Sequence, residues 1–70
     1  MTGEQTSHHK LKEVALKIVI LLARRPRLRQ SEIARALGEH NSTVMRALPI
    51  TETLGIRLAE DGQGRLSIAD

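Results

Sequence analysis

The chain has 70 residues, a formal net charge of +3, no cysteine and no Phe, Tyr or Trp. A chain this short forms one small domain that buries only about 60% of its unfolded surface, so an enclosed substrate pocket, and with it an enzyme, is disfavoured. Without cysteine there is neither a disulfide nor a cysteine zinc site, which fits a cytoplasmic protein, and without aromatic rings there is no platform for stacking single-stranded bases.

Residues 1–9 are polar and lack apolar periodicity, which predicts a flexible arm ahead of a domain over residues 10–70. The apolar run over residues 14–23 is interrupted by Lys17 and followed by Arg24. It is too short to span a bilayer and is not followed by the small residues of a signal-peptide cleavage site. No membrane partner is therefore expected.

A first helix is predicted over residues 10–23, where apolar residues recur at intervals of three and four. These residues are Leu11, Val14, Ala15, Ile18, Val19 and Leu22. Pro26 prevents the helix from continuing. Ile20 and Leu21 lie off the apolar stripe, which leaves two alternatives for them: contact with another part of the same chain, or contact with a second copy.

A second helix is predicted over residues 30–37, with Leu28 packed just before it. Its inward side is made of Ile33, Ala34 and Leu37. Glu32 favours the first turn because a negative charge is stabilised at a helix N-terminus. Gly38 tolerates the positive φ that ends a helix and turns the chain sharply, and Val44 begins the next apolar side. This layout is typical of a helix-turn-helix.

A third helix is predicted over residues 41–48, with Asn41 or Ser42 as its N-cap. Its buried side carries Val44, Ala47 and Leu48. Pro49 has no backbone N–H, and its ring clashes with the carbonyl four residues earlier. The helix is therefore expected to end just before the proline or to kink there, with residues 50–54 forming a separate turn.

Alternation of apolar and polar residues predicts two strands, over residues 56–59 and 65–68. Two glycines lie in the polar linker between them, residues 60–64, and predict a β-hairpin loop. Three helices followed by a hairpin is the order of a winged helix-turn-helix. The predicted fold class is therefore mainly α with a small β-hairpin.

The segment Ser42-Thr43-Val44-Met45-Arg46-Ala47-Leu48 resembles the recognition helices of winged helix-turn-helix regulators, among them the IclR-like and MarR-like repressors. The resemblance implies a small transcriptional regulator that binds double-stranded DNA sequence-specifically, with its third helix in the major groove and without a cofactor. Carried over by position, the DNA-reading residues are Asn41, Ser42, Thr43, Met45 and Arg46. Arginine can fork onto guanine and asparagine onto adenine, and Arg46 is the leading candidate for a base contact.

Five arginines lie close together in the sequence: Arg24, Arg25, Arg27, Arg29 and Arg35. Residues 24–29 lead into the second helix, where the resemblance implies contact with DNA phosphates; the alternative is a solvated charged surface. The arginines assigned to this contact are Arg25, Arg27 and Arg29. Glu60 and Asp61 make the wing tip acidic. Arg65, with Arg57 as a second candidate, is left to contact phosphate from the wing.

Three positions depart from the residues usual in these regulators. Glu39 lies in the turn where an apolar residue is usual, Arg29 replaces a hydroxyl cap, and Pro49 interrupts the reading helix. Pro49, the acidic wing tip and the low net charge favour a competing interpretation, a winged helix that binds another protein and not DNA.

Repressors usually pair two DNA half-sites, so a homodimer is expected, with a different partner chain as the alternative. A metal site is not expected. His8 and His9 are adjacent and His40 is distant, so they do not supply the three or four converging ligands that a metal requires.

Overall fold

The computed structural model describes residues 3–69, with side chains from His9 onward. Its elements, in chain order, are α1 (Gly3–Arg24), β1 (Leu28–Arg29), α2 (Gln30–Leu37), α3 (Asn41–Thr53), β2 (Arg57–Glu60) and β3 (Arg65–Ala69). Three helices and a small antiparallel sheet form a winged helix-turn-helix, which confirms the predicted fold class.

Helix α1 is longer at its N-terminal end than the sequence predicts. It begins at Gly3 and not at Lys10. The prediction started too late because the apolar periodicity is present only in the later part of the helix. The flexibility expected of residues 1–9 stays a prediction, and the first two of them lie outside the described residues. At its other end α1 stops at Arg24, just before Pro26, as the missing N–H of proline requires.

The core is built mainly between α1 and α3, which make the most extensive contact in the fold. Ile18, Ile33 and Val44, one from each helix, are each 0% exposed. The buried apolar residues are Val14, Ala15, Ile18, Leu22, Leu28, Ile33, Ala34, Val44, Ala47 and Leu66. Most of the inward-facing residues predicted from the sequence are in this set, while Leu37 and Leu48 are partly buried at its edge.

Ile20 and Leu21, which lie off the apolar stripe of α1, have different environments. Leu21 packs against the core, so the same-chain contact is the correct alternative for it. Ile20 is 56% exposed, and Leu16, one turn earlier, is 48% exposed. Because residues four apart share one side of a helix, these two aliphatic side chains lie together on the solvent side of α1.

Helix α3 continues through Pro49 to Thr53, so the expectation that it ends before the proline is wrong. Pro49 has no N–H to donate to the Met45 carbonyl. Both residues are exposed, so water can bond to that carbonyl instead. Beyond the proline, Thr51 is 1% exposed. Its hydroxyl donates to the Leu48 carbonyl at 2.7 Å. Burial of this last turn therefore keeps it helical against a local cost of about 3 kcal/mol.

The sheet contains a strand that the sequence did not predict. The two-residue strand β1 pairs antiparallel with β3, which gives the strand order β1-β3-β2. Leu28 lies opposite Leu66, and both are buried. Two residues are too few to show a period of two, so only the β2–β3 hairpin could be predicted, and it is confirmed. Strand β1 therefore connects the arginine-rich loop, residues 24–29, to the wing, which is the β2–β3 hairpin.

The turn between α2 and α3 ends α2 as the sequence predicts. Gly38 has φ 68° and ψ 33°, in the left-handed region. The Gly38 N–H donates to the Arg35 carbonyl at 3.2 Å, and the Glu39 N–H donates to the Ala34 carbonyl at 2.8 Å. This pair of bonds is a Schellman motif, which satisfies carbonyls at the end of the helix and redirects the chain into α3.

Replacement of Gly38 by alanine should lower the free energy of unfolding by about 1–2 kcal/mol, because a Cβ atom is strained in the left-handed region. No atom lies within 4 Å of the added Cβ, so the effect comes from the backbone. Gly62 is the matched control, since it is equally open and its φ is not positive. Urea denaturation followed by circular dichroism measures both variants. Equal losses at Gly38 and Gly62 would contradict the backbone explanation.

Ile33→Ala should cost about 2–4 kcal/mol, because it leaves a cavity among the fully buried side chains. This loss is large enough to unfold a marginally stable domain. Ile20→Ala removes the same atoms from an exposed site and should stay within about 0.5 kcal/mol. Thermal and urea midpoints of the two variants give the comparison, and similar midpoints would show that Ile33 does not support the core.

Candidate nucleic-acid interface

The N-terminal end of α3 differs from the expected cap. His40 is the N-cap residue, with extended backbone angles and no side-chain capping bond, and α3 begins at Asn41. The expectation that Asn41 or Ser42 caps the helix is therefore wrong. Both are exposed residues of the first turn. Neither of their side chains donates or accepts a hydrogen bond among the described residues, so both side chains are accessible to a ligand.

The exposed side of α3 carries most of the residues that the sequence assigned to DNA reading. Exposed there are Asn41, Ser42, Met45, Arg46 and Pro49, whereas Thr43 is half-buried at the edge. On the opposite side, Val44 and Ala47 are each 0% exposed, which fixes the rotation of the helix about its axis. The outward side of α3 is therefore not covered by the described part of the chain.

Arg46 is the one cation of α3. Among the described side chains Arg46 makes no ion pair, either with Glu39 or with Glu52. A guanidinium without a carboxylate partner can present its fork of donors to an external acceptor.

Glu39, the departure in the turn, is bonded to α1. Its carboxylate lies 3.4 Å from the Lys10 ammonium, and its side chain is 11% exposed against 54% for the lysine. The pair joins Lys10, the first residue of the predicted domain, to Glu39, the residue before the α3 N-cap His40. An aliphatic side chain at position 39 would pack in the same turn, whereas this glutamate adds an ionic link between the turn and α1.

Gln30 is a further link, and the sequence analysis did not identify it. Its Nε2 donates to the Asn41 carbonyl at 3.2 Å, joining the first residue of α2 to the first residue of α3. Both helix starts could be read from the sequence, but their distance in space depends on the crossing of α2 and α3. This bond constrains the position of the α3 N-terminus.

The arginine-rich loop forms an exposed basic surface beside α2. Arg24, Arg25, Arg27 and Arg29 are all exposed. Arg27 has φ 70°, the only positive φ outside glycine among the described residues, and it reverses the chain between α1 and β1. A cleft of about 250 Å³ lies between this loop and α2 and is lined by Arg25, Leu28, Glu32, Arg35 and Ala36.

Strand β1 brings two of the predicted phosphate-binding residues together. Arg29 lies directly opposite Arg65 in the β1–β3 ladder. Like charges on facing positions repel, so an anion bound between the two would stabilise the pair. Arg29 is also the N-cap of α2, where its N–H donates to Glu32 Oε1 at 2.8 Å. Glu32 therefore acts through this bond as well as through the helix dipole predicted from sequence.

The wing tip is organised by Asp61. Its Oδ1 accepts from the N–H groups of Gln63 and Arg65, each at 2.9 Å. Its Oδ2 accepts from Arg65 Nε at 2.9 Å. The backbone bond from Arg65 is the main cause that lowers the pKa of Asp61 below its ordinary value of 3.8, with the Gln63 bond and the guanidinium adding to it. Arg65 is thus already engaged within the wing.

Other kinds of site find no support in the described part of the chain. Among the side chains described from His9 onward, no group of three or more His, Asp or Glu residues is placed to hold a metal ion. No helix within residues 3–69 is both long and apolar enough to cross a membrane.

The fold and the uncovered side of α3 define a winged helix-turn-helix domain. The family model of the IclR helix-turn-helix domain matches residues 13–49, more than half of the chain. The chain belongs to the IclR helix-turn-helix family, whose domains bind DNA in transcription regulators and are not enzymes. Comparison with curated proteins and with solved structures gives no significant match.

The ionised form of Asp61 should stabilise the wing loop above about pH 4, and this stabilisation should be lost as the pH falls through the lowered pKa of the folded state. The sign follows because the folded pKa lies below the unfolded one. An NMR titration of the Asp61 carboxyl carbon measures the midpoint, which should lie below 3.8. Asp61→Asn should abolish the acid-dependent shifts of the Gln63 and Arg65 amides. A midpoint at or above the ordinary value would contradict this account of the loop.

Proposed function

We propose that the chain binds double-stranded DNA sequence-specifically as part of a transcription regulator, with the exposed side of α3 in the major groove. The observation that carries the proposal is Arg46, which is exposed and has no ion-pair partner among the described side chains. Its helix is held from behind by buried Val44 and Ala47. A bidentate contact of its guanidinium with guanine O6 and N7 is the commonest specific contact of this type.

Asn41, Ser42 and Thr43 extend the same surface toward the start of α3. In our proposal Asn41 reads adenine through its amide, and the hydroxyl groups bind base edges or phosphate. Ser42 is exposed, while Thr43 is half-buried and reaches DNA only from the edge of the helix. The bond from Gln30 to the Asn41 carbonyl supports this role, because base reading requires a fixed helix position.

The arginine-rich loop and β1 supply the phosphate contacts in this proposal, through Arg25, Arg27 and Arg29. Their exposure supports the role, as does the facing pair of Arg29 and Arg65, which a phosphate would bridge. Since Asp61 already binds Arg65, we assign Arg65 the smaller share of this contact. Phosphate contacts supply affinity and register, and α3 supplies specificity.

A homodimer remains a prediction, as does a cytoplasmic location. One winged helix offers a small interface with DNA, and pairing two half-sites would raise the affinity. The exposed pair of Leu16 and Ile20 on α1 is the apolar surface that supports a contact between copies. Sedimentation velocity of the free protein distinguishes monomer from dimer.

The competing function is binding of a partner protein and not DNA. It is favoured by the wing, where Glu60 is exposed and Asp61 neutralises Arg65. In DNA-binding winged helices the wing usually presents free cations to phosphate. The unpartnered Arg46 and the exposed arginine loop outweigh this observation, and the following titration separates the two functions.

A duplex site selected from a random pool should bind the wild-type chain at low salt and more weakly as salt rises. Arg46→Ala should weaken binding to that site by about 5- to 150-fold, equivalent to about 1–3 kcal/mol, and should affect a scrambled duplex much less. Arg25→Ala should weaken both duplexes alike and reduce the salt slope by about one. Fluorescence anisotropy measures the affinity of each of the three proteins for each of the two duplexes.

Lys17→Ala is the matched control, because it removes one exposed positive charge from α1, and Lys17 is not one of the residues of the proposed surface. It should leave the affinity for the selected site nearly unchanged. Equal losses for Lys17→Ala and Arg46→Ala would mean that only net charge matters. Absence of binding at low salt, with an intact circular dichroism spectrum, would favour the partner-protein function.

A further inference from the structure

Met45 is an exposed apolar side chain in the middle of a polar surface. Among the described residues the large hydrophobic side chains with high exposure are Leu16, Ile20 and Met45, and Met45 is 55% exposed. The first two lie together on α1. Met45 lies on α3, beside Arg46 and one turn after Asn41, on the side that the proposed function places in the major groove.

Pro49 extends this apolar area by one turn. It is exposed and lies four residues after Met45, so the two side chains are neighbours on the helix surface. Neither can bond to a base edge through a strong side-chain donor or acceptor, since methionine has only a weak thioether acceptor and proline has no polar group. Packed against the polar edge of a base, these side chains would remove water from donors and acceptors without replacing the lost hydrogen bonds.

The major groove displays one apolar group, the C5-methyl of thymine. A methionine side chain suits such a contact, because it is unbranched and polarisable and adapts its shape to a small apolar partner. Cytosine, adenine and guanine present only donors, acceptors and ring edges at the corresponding positions. The chemistry of the exposed residue therefore selects among the four base pairs.

We propose that Met45 contacts the C5-methyl of a thymine in the target site, next to the base pair contacted by Arg46, with Pro49 closing the apolar area. This inference rests on the proposed function, since it requires α3 to lie in the major groove. It makes Met45 a specificity-determining residue: burial of one methyl group favours thymine over any base that lacks it.

The test replaces single thymines of the selected duplex by deoxyuridine, which keeps every hydrogen-bonding group and lacks only the methyl. At one thymine position the wild-type chain should bind the uracil duplex about fourfold more weakly, the effect expected for one buried methyl group. Met45→Ala should bind the thymine duplex with a similar loss and should show no further loss with uracil. Met45→Leu, which keeps an apolar side chain, should retain part of the uracil effect.

Leu16→Ala is the matched control, because Leu16 is 48% exposed but lies on α1. Because Leu16 also belongs to the α1 surface proposed for contact between copies, the readout is the ratio of the affinities for the thymine and uracil duplexes, and Leu16→Ala should keep the wild-type ratio. Thermal melts of all variants exclude unfolding as the cause.

The outcomes distinguish failure of the thymine contact from failure of the proposed function. Binding of the selected duplex with no uracil effect at any thymine, or with an effect that Met45→Ala retains, overturns the thymine contact and leaves DNA binding in place. A change of sedimentation coefficient in Met45→Ala without a uracil effect shows that Met45 contacts a second chain, which also overturns it. If no duplex binds at low salt, the proposed function fails and the contact fails with it.

Discussion

Burial of one side of α3 against α1 is the constraint on which the rest of this domain depends. Val44 and Ala47 are fully buried, and Thr51 continues the same side past a proline. A helix held on one side by close packing has a fixed rotation about its axis, so its opposite side is fixed as well. The exposed side of α3, with Arg46 at its centre, is therefore a consequence of the core and not a separate feature.

Polar bonds near the N-terminal end of α3 add to the packing that holds this helix in place. The left-handed turn at Gly38 sets the direction of α3, the pair of Lys10 and Glu39 links this turn to α1, and Gln30 bonds to the start of α3. Each bond contributes little to stability by itself when exposed. Their shared effect is positional, since all three act within a few residues of the α3 N-terminus.

The β1–β3 pairing joins two parts of the chain that the sequence presents separately. It places Arg29 opposite Arg65 and so makes the arginine-rich loop continuous with the wing. The wing in turn limits its own charge, because Asp61 both shapes the loop and binds Arg65. The exposed arginines of the loop and Arg46 of α3 lie within the part of the chain that the IclR helix-turn-helix match covers.

The sequence by itself determined the three helices, the turn at Gly38, the hairpin and most of the core, because these depend on local periodicity and on the φ of one glycine. It also identified Arg46 as the exposed cation of α3, since the apolar spacing of Val44 and Ala47 places position 46 on the opposite, solvent side of the helix. Only the tertiary structure decided that α3 continues through Pro49, that β1 exists and that Gln30 reaches Asn41. These features depend on contacts between segments distant in sequence, and such contacts can outweigh a local penalty or stabilise a strand too short to have a pattern of its own.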